Sequence, residues 1–191
     1  MKHIQLPMDE STVRSLRLGE SVMLSGRIFT ARDAAHNYLV SHDVLEEPAP
    51  DLRNGVLYHC GPVIVRQGEK WVVTAAGPTT SSREEPYEAE VIRRFGIKAI
   101  IGKGGMGHDT AEACKNYGCV YLQATGGAAQ VLAAAVTSVT NVFYYDKFGA
   151  PEAIWEFNVT NFPATVTMDS NGNSLHEDIL EHSRQQFQQL M

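Results

Sequence analysis

No apolar stretch in this 191-residue sequence approaches the ~18 residues of a membrane-spanning helix, and Met1 to Ser11 carries His3, Asp9 and Glu10 where a signal peptide is apolar. A soluble, cytoplasmic chain with no membrane association is expected. Basic charge is scarce: 16 Lys and Arg stand against 22 Asp and Glu, for a net charge of −6. No broad positive field exists to hold phosphate backbones, which argues against nucleic acid as a partner. An anionic ligand therefore needs a local cluster of cations inside an acidic envelope. Cysteine is sparse as well. Cys60, Cys114 and Cys119 are an odd set in a chain without secretory features, so reduced thiols are expected. Cys60 lies far along the chain from the other two, and no Cys-x-x-Cys element occurs, so no metal site is expected here. Internal repeats and low-complexity tracts are also lacking.

What is present is an ordinary globular composition, 43% hydrophobic and 20% charged, with enough length for one core. A single domain over 1–191 follows. Asp9 to Leu16 reads as a short helix ended by Gly19, and Ser21 to Thr30 as a strand. Thr30 and Asp33 resemble a capping box that opens a helix over Ala31–Leu45, placing Arg32 in its first turn. Glu46–Asn54 is a loop. Val56–Arg66 and Lys70–Ala76 read as a hairpin about Gln67-Gly68, and Pro86 starts a helix that Gly96 ends. Ile97–Ile101 is a buried strand, Gly102–Gly107 a glycine-rich turn into a helix, and Val120–Gln123 a strand. An Ala-rich helix over Ala128–Val136 has small side chains suited to close packing. Val142–Tyr145, Ile154–Val159 and Ala164–Met168 read as three strands, Asn171-Gly172 as a turn, and His176–Leu190 as an amphipathic surface helix. Strands alternating with helices give the class α/β.

Three segments offer cations beside backbone or hydroxyl donors, each just after a strand. In Gly102-Lys103-Gly104-Gly105-Met106-Gly107, glycines let N–H groups approach a ligand, Lys103 adds a charge, and the next helix N-terminus attracts anions. It is not a nucleotide P-loop, because Gly104 stands where Ser or Thr would bind magnesium. The dinucleotide fingerprint also fails, since Lys103 occupies the tight turn and no acid follows on a next strand. In Gly77-Pro78-Thr79-Thr80-Ser81-Ser82-Arg83, a strand end opens into hydroxyls and one guanidinium. Arg32 at a helix start is disfavoured by the helix dipole unless an anion sits beside it. Alone, the glycine segment reads equally well as a tight strand-to-helix turn, the hydroxyl segment as a capped loop, and Arg32 as a cation pointing to solvent. Together, Arg32, Arg83 and Lys103 suit one compact polyanion, most simply a small dicarboxylate. His36 lies one helical turn beyond Arg32, a candidate for the same pocket, and His59 next to Cys60 reads as structural.

The same residues resemble a known family, the β half of class I, iron–sulfur-dependent fumarate hydratases and L-tartrate dehydratases. The matching segments are Ser25-Gly26-Arg27 through Ala31-Arg32-Asp33-Ala34-Ala35-His36, His59-Cys60-Gly61-Pro62, Gly77-Pro78-Thr79-Thr80 with Arg83, and Gly102 to Gly107. Gly149 to Trp155, and Phe162-Pro163-Ala164 through Asp169, Gly172 and Asn173, continue it in order. The resemblance implies a swivelling β/β/α domain, a mixed or barrel-like β core with flanking helices. It implies a hydro-lyase active with an α subunit that carries a [4Fe-4S] cluster, in an α2β2-type assembly. Arg32, Thr79, Arg83 and Lys103 fall on dicarboxylate-binding positions, with Thr79 and Lys103 in the catalytic roles and Thr79 linked to proton transfer. Ala128 and Ala150 depart from the cysteine and methionine common in the family. Hydration of fumarate to (S)-malate is the expected reaction. Tartrate dehydration to oxaloacetate, or a non-catalytic anion-binding or regulatory domain of the same fold, are the alternatives.

Overall fold

The computed structural model describes residues 1–190. Nine strands and seven α-helices alternate: β1 (Lys2–Gln5), α1 (Glu10–Ser15), β2 (Ser21–Thr30), α2 (Asp33–Ser41), β3 (Val56–Tyr58), β4 (Val63–Gln67), β5 (Lys70–Ala75), α3 (Glu85–Phe95), β6 (Ala99–Gly102), α4 (His108–Tyr117), β7 (Val120–Gln123), α5 (Ala129–Ala134), β8 (Val136–Phe143), α6 (Tyr145–Phe148), β9 (Ile154–Met168) and α7 (Leu175–Leu190). The large sheet has the order β1-β2-β3-β6-β7-β9-β8. An additional antiparallel pairing of β9 with β2 closes five strands, β2, β3, β6, β7 and β9, into a mixed barrel. The α/β, barrel-like expectation is met.

The parallel strands are apolar on both faces, as strands buried on two sides must be. Val56 and Tyr58, Ala99 and Ile101, and Val120 and Leu122 join the barrel core with Trp155, Phe157 and Phe162. The alternate residues Leu57, Ile100 and Tyr121 join an outer core with Ala35 and Leu39 of α2, Val91 and Ile92 of α3, and Cys114 of α4. Leu39, Val91 and Ile92 are fully buried, each contributing about 1.5–3 kcal/mol over an exposed position. The helix layer is thereby fixed against one flank of the barrel.

Three expectations are corrected. Val56–Arg66 is not one strand: it breaks at Cys60-Gly61-Pro62, so that β3 stays in the barrel while β4 pairs with β5 in a separate hairpin. Gly61 explains the break, because a Cβ there would lie 2.6 Å from Arg32 Nη1 and 2.8 Å from the Pro151 carbonyl oxygen. The two strands expected over Ile154–Val159 and Ala164–Met168 are one, β9. Asn161 takes a positive φ of 52°, a bend at a barrel corner where the sequence suggested a break. Finally, the strand expected over Val142–Tyr145 is only Val142 and Phe143, the end of the longer β8, while Tyr144 caps α6 and Tyr145 begins it. The helix α7 forms as expected, but Ile179, Leu180, Phe187 and Leu190 remain exposed.

Candidate functional site

Parallel strands β2, β3, β6 and β7 run in one direction and deliver their C-terminal ends to one rim of the barrel. Ligands of parallel α/β sheets bind beyond such ends, because the connecting loops there are free to carry side chains. The loops on this rim hold Arg32 after β2, His59 to Gly61 after β3, Lys103 after β6 and Gly126 after β7.

Arg32 is the N-cap of α2, in an extended conformation, and not a residue of its first turn. The expected capping box does not form. Thr30 Oγ1 instead accepts from Trp155 N (3.1 Å) and donates to the Ala153 carbonyl (3.4 Å). The helix is capped from across the rim by Glu152, whose Oε2 accepts from Ala34 N at 3.0 Å while Oε1 lies 3.4 Å from Arg32 Nε. A carboxylate of the chain itself thus offsets the unfavourable placement of a cation at a helix N-terminus.

Asp33 reaches forward to Arg83, with Nε–Oδ1 and Nη2–Oδ2 both 3.0 Å, and its Oδ2 is 3.8 Å from Arg32 Nη2. One aspartate therefore joins both guanidiniums. The Arg83 side chain is 56% exposed, so this pair contributes about 0–1 kcal/mol, and a ligand carboxylate can take the place of Asp33 at little cost.

Thr79 and Lys103 are tied to the same rim by main-chain bonds. Thr79 N donates to His59 O (2.7 Å) and Ser81 N to Lys103 O (3.0 Å), with bridges Cys60–Pro78 and Thr80–Lys103. Both side chains are half-buried. A Cβ on Gly126 would lie 3.5 Å from Lys103 Cδ, so the lysine stem runs beneath the Gly126-Gly127 turn. The structure thus brings Arg32, Thr79, Arg83 and Lys103 to one rim.

It corrects the reading of the glycine-rich turn in one respect. The α4 N-terminus already has its anion: Glu85 accepts from Gly107 N (2.6 Å), Thr110 N (3.2 Å) and Thr110 Oγ1 (2.8 Å). A ligand at Lys103 meets the ammonium and not that helix end.

His36 is not on the pocket wall. It is fully buried below Arg32, with Nε2 2.9 Å from Glu88 Oε2 and Nδ1 2.9 Å from the Arg32 carbonyl oxygen. His59 Nε2 reaches the same Glu88 oxygen at 2.9 Å, and its Nδ1 is 2.9 Å from Ser81 Oγ, which accepts from Tyr121 OH at 2.8 Å. His36, His59 and Glu88 present ligand atoms within 4.8 Å of one another, a set able to hold a metal. Their pairwise spacing is that of N–H···O bonds converging on one carboxylate oxygen, which a protonated His36 and a neutral His59 satisfy fully.

Burial alone would lower the His36 pKa, but the Glu88 carboxylate, with help from Glu84, raises it to about 9. Burial lowers that of His59. For Glu88, burial opposes ionisation, yet the His36 charge and both imidazole bonds bring it down to about 2. Burial pushes Glu84 up to about 7. The signs follow. Raised above its ordinary 6.5, His36 contributes stability in full below that value and loses it as pH rises through 9. Lowered below 4.5, Glu88 contributes above 4.5 and loses its contribution as pH falls toward 2. Glu84, raised, makes ionisation costly, so stability falls as pH rises from 4.5 to 7. The urea midpoint against pH is expected to fall on both the acid and the alkaline side, and Glu84→Gln to flatten the limb between 4.5 and 7. A midpoint indifferent to Glu84→Gln across that limb contradicts the assignment.

The cysteines do not fit an iron–sulfur cluster. Cys60 belongs to the barrel core and Cys114 and Cys119 to the outer core, and all are buried. Burial pushes Cys60 up to about 12 and Cys119 well above its usual range, whereas cluster ligands are thiolates.

Sequence reasoning missed Glu152, Glu85, Tyr121 and Glu88, and read Ser81 only as one of four loop hydroxyls. For Glu88 a signal existed: Glu88, Val91 and Ile92 stand at i, i+3 and i+4, so helical periodicity places this acid on the buried face of α3.

Comparison with known proteins supplies the remaining observation. Residues 1–179 match the family described as fumarase C-terminus. The chain is 49% identical over 188 residues to a Geobacillus stearothermophilus protein bearing the name fumarate hydratase class I, spanning 97% of this chain but 35% of that one. It is 42% identical over 174 residues to a protein of Methanocaldococcus jannaschii named as an L(+)-tartrate dehydratase subunit beta, covering 90% of this chain and 89% of the relative. The L(+)-tartrate dehydratase subunit beta of Escherichia coli K12 is 34% identical over 176 residues, covering 91% and 86%.

Proposed function

Because this chain belongs to the fumarase C-terminus family, we propose that residues 1–191 act as a single domain, the dicarboxylate-binding β part of a hydro-lyase, with fumarate and (S)-malate as its substrate pair. It spans about a third of its Geobacillus relative and nearly the full length of relatives named as β subunits, which supports a separate α subunit as partner, in an α2β2-type assembly. The observation that carries the reading is the convergence of Arg32, Thr79, Arg83 and Lys103 on one rim. In this reading a [4Fe-4S] cluster belongs to the α subunit, since the buried thiols of this chain do not fit one. No helix among the described residues is long and apolar enough to cross a membrane, which agrees with a cytoplasmic enzyme.

Each side chain then has a task. Arg32 and Arg83 take the carboxylates as planar, bidentate partners, releasing Asp33 and Glu152 from part of their present contacts. Lys103 stabilises the negative charge that builds on a carboxylate when the adjacent carbon loses its proton. The Thr79 N–H is committed to His59 O, which leaves its hydroxyl for the role of hydrogen-bond donor or proton carrier. Tartrate is the second reading, favoured by the names of the subunit-length relatives.

Anaerobic co-purification with the α subunit tests both. Fumarate hydration by the complex is expected to exceed tartrate dehydration, and the reverse preference would transfer the assignment to tartrate. The isolated chain, reconstituted with iron and sulfide, is expected to hold no stoichiometric cluster and to show no turnover. A cluster with activity in the isolated chain would overturn the two-part reading.

A further inference from the structure

The buried groups beneath the rim have no task in the reaction as described, yet short chains of hydrogen bonds join them to residues that do. Glu88 Oε2 accepts from both His36 Nε2 and His59 Nε2 at 2.9 Å. From His36, Nδ1 goes on to the Arg32 carbonyl oxygen at 2.9 Å. From His59, the main-chain oxygen accepts the Thr79 N–H at 2.7 Å, while Nδ1 reaches Ser81 Oγ, and Ser81 N donates to Lys103 O at 3.0 Å. The loops after β2, β3, β5 and β6 thus converge on one carboxylate of α3, which is itself packed into the outer core through Val91 and Ile92. Space is as tight as the bonding: a Cβ on Gly102 would fall 1.8 Å from Ser81 Oγ and 2.9 Å from Tyr121 OH.

A buried ion pair is weak support for stability, because desolvation offsets most of the attraction. Glu88 Oε1 has no hydrogen-bond partner, but Oε2 takes both imidazoles; two bonds converging on one buried oxygen restrict the groups that make them, and a displacement of about 1 Å in a site can cost as much as 10²-fold in rate. We propose that Glu88 is a positioning residue: a single buried carboxylate oxygen that holds the loops bearing Arg32, Thr79 and Lys103 in one register for the dicarboxylate. The inference rests on the proposed function for its consequence in turnover, but not for its structural content.

The test uses Glu88→Gln, which keeps shape and removes charge, with Ser81→Ala as the milder variant that severs the His59 Nδ1 branch and the Tyr121 bond to the same hydroxyl while leaving Glu88 in place. Amide hydrogen exchange in the intact chain is read at Thr79 and Ser81. The controls are Leu6 and Gly19, whose N–H groups bond to Ser25 O and Val166 O away from the rim. In Glu88→Gln, Thr79 and Ser81 are expected to exchange roughly 10-fold faster or more while the controls hold. In Ser81→Ala, the Thr79 amide is expected to shift in the same direction by less. With the α subunit bound, Glu88→Gln is expected to lose kcat/KM by about 10- to 100-fold, mostly in kcat.

Unchanged exchange at Thr79 and Ser81, or a rise matched by Leu6 and Gly19, would overturn the proposal, as would full turnover in the assembled variant. If the wild-type complex turns over no dicarboxylate, the proposed function fails, and the exchange comparison still decides whether Glu88 holds the loops.

Discussion

Lys103→Met is expected to lower kcat/KM of the assembled enzyme by about 2–4 kcal/mol, roughly 30- to 1000-fold, with assembly and melting temperature little changed. The reason lies in how each cation is held. Arg32 and Arg83 lean on Glu152 and Asp33, so their charge is partly balanced before a ligand arrives. Lys103 is held instead through its backbone oxygen and its stem, the former by Ser81 N and the latter under Gly126. Methionine keeps the length that packs beneath Gly126 and removes only the ammonium. Arg83→Met is expected to cost less, because that guanidinium is more than half exposed and water screens it. If Lys103→Met lowers only the yield of folded complex, leaving kinetics normal in what remains, the turn is structural and the lysine is not part of the site.

For Thr79→Val, solvent deuterium exchange into the substrate C–H bond and kcat are expected to collapse together, by roughly 10²-fold or more, if the hydroxyl moves the proton. A hydroxyl is a weak base at its ordinary pKa, so it needs a charged neighbour, and Lys103, joined to the adjacent Thr80 by an isolated bridge, is one cation of the rim placed for it, beside the two arginines. If Thr79 only donates a hydrogen bond to a carboxylate, KM rises while exchange at saturating malate survives. Thr79→Ser retains the hydroxyl and is expected to keep much of the activity in either case. Wild-type exchange in the valine variant would exclude Thr79 as the proton carrier and place that group on the partner. The main-chain bond from Thr79 N to His59 O is unaffected by these substitutions, so a loss of rate is not a loss of the loop.

Much of the fold was determined by the sequence alone, because its signals are local. The ten-residue strand Ser21–Thr30, the helix with Pro86 in its first turn that stops at the left-handed Gly96, and the strand Val120–Gln123 all appear as read, since periodicity and capping act over a few residues. The cations Arg32, Arg83 and Lys103 were legible for the same reason, since a cation beside glycines or hydroxyls after a strand is a local pattern, whereas Thr79 was singled out among its neighbouring hydroxyls by the family resemblance alone. Tertiary structure decided everything that depended on partners distant in the chain. Thr30 and Asp33 had the spacing of a capping box, yet Trp155 and Arg83 offered each a better bond, and Glu152, more than a hundred residues away, took over the cap. Likewise, nothing near the glycine turn shows that Glu85 fills the α4 N-terminus. His36 could be set on the face of a helix from its spacing, but only the packing of α3 against α2 and β3 placed Glu88 between it and His59. A buried charge can persist only where a partner is waiting, and in this chain that partner lies 52 residues away in sequence.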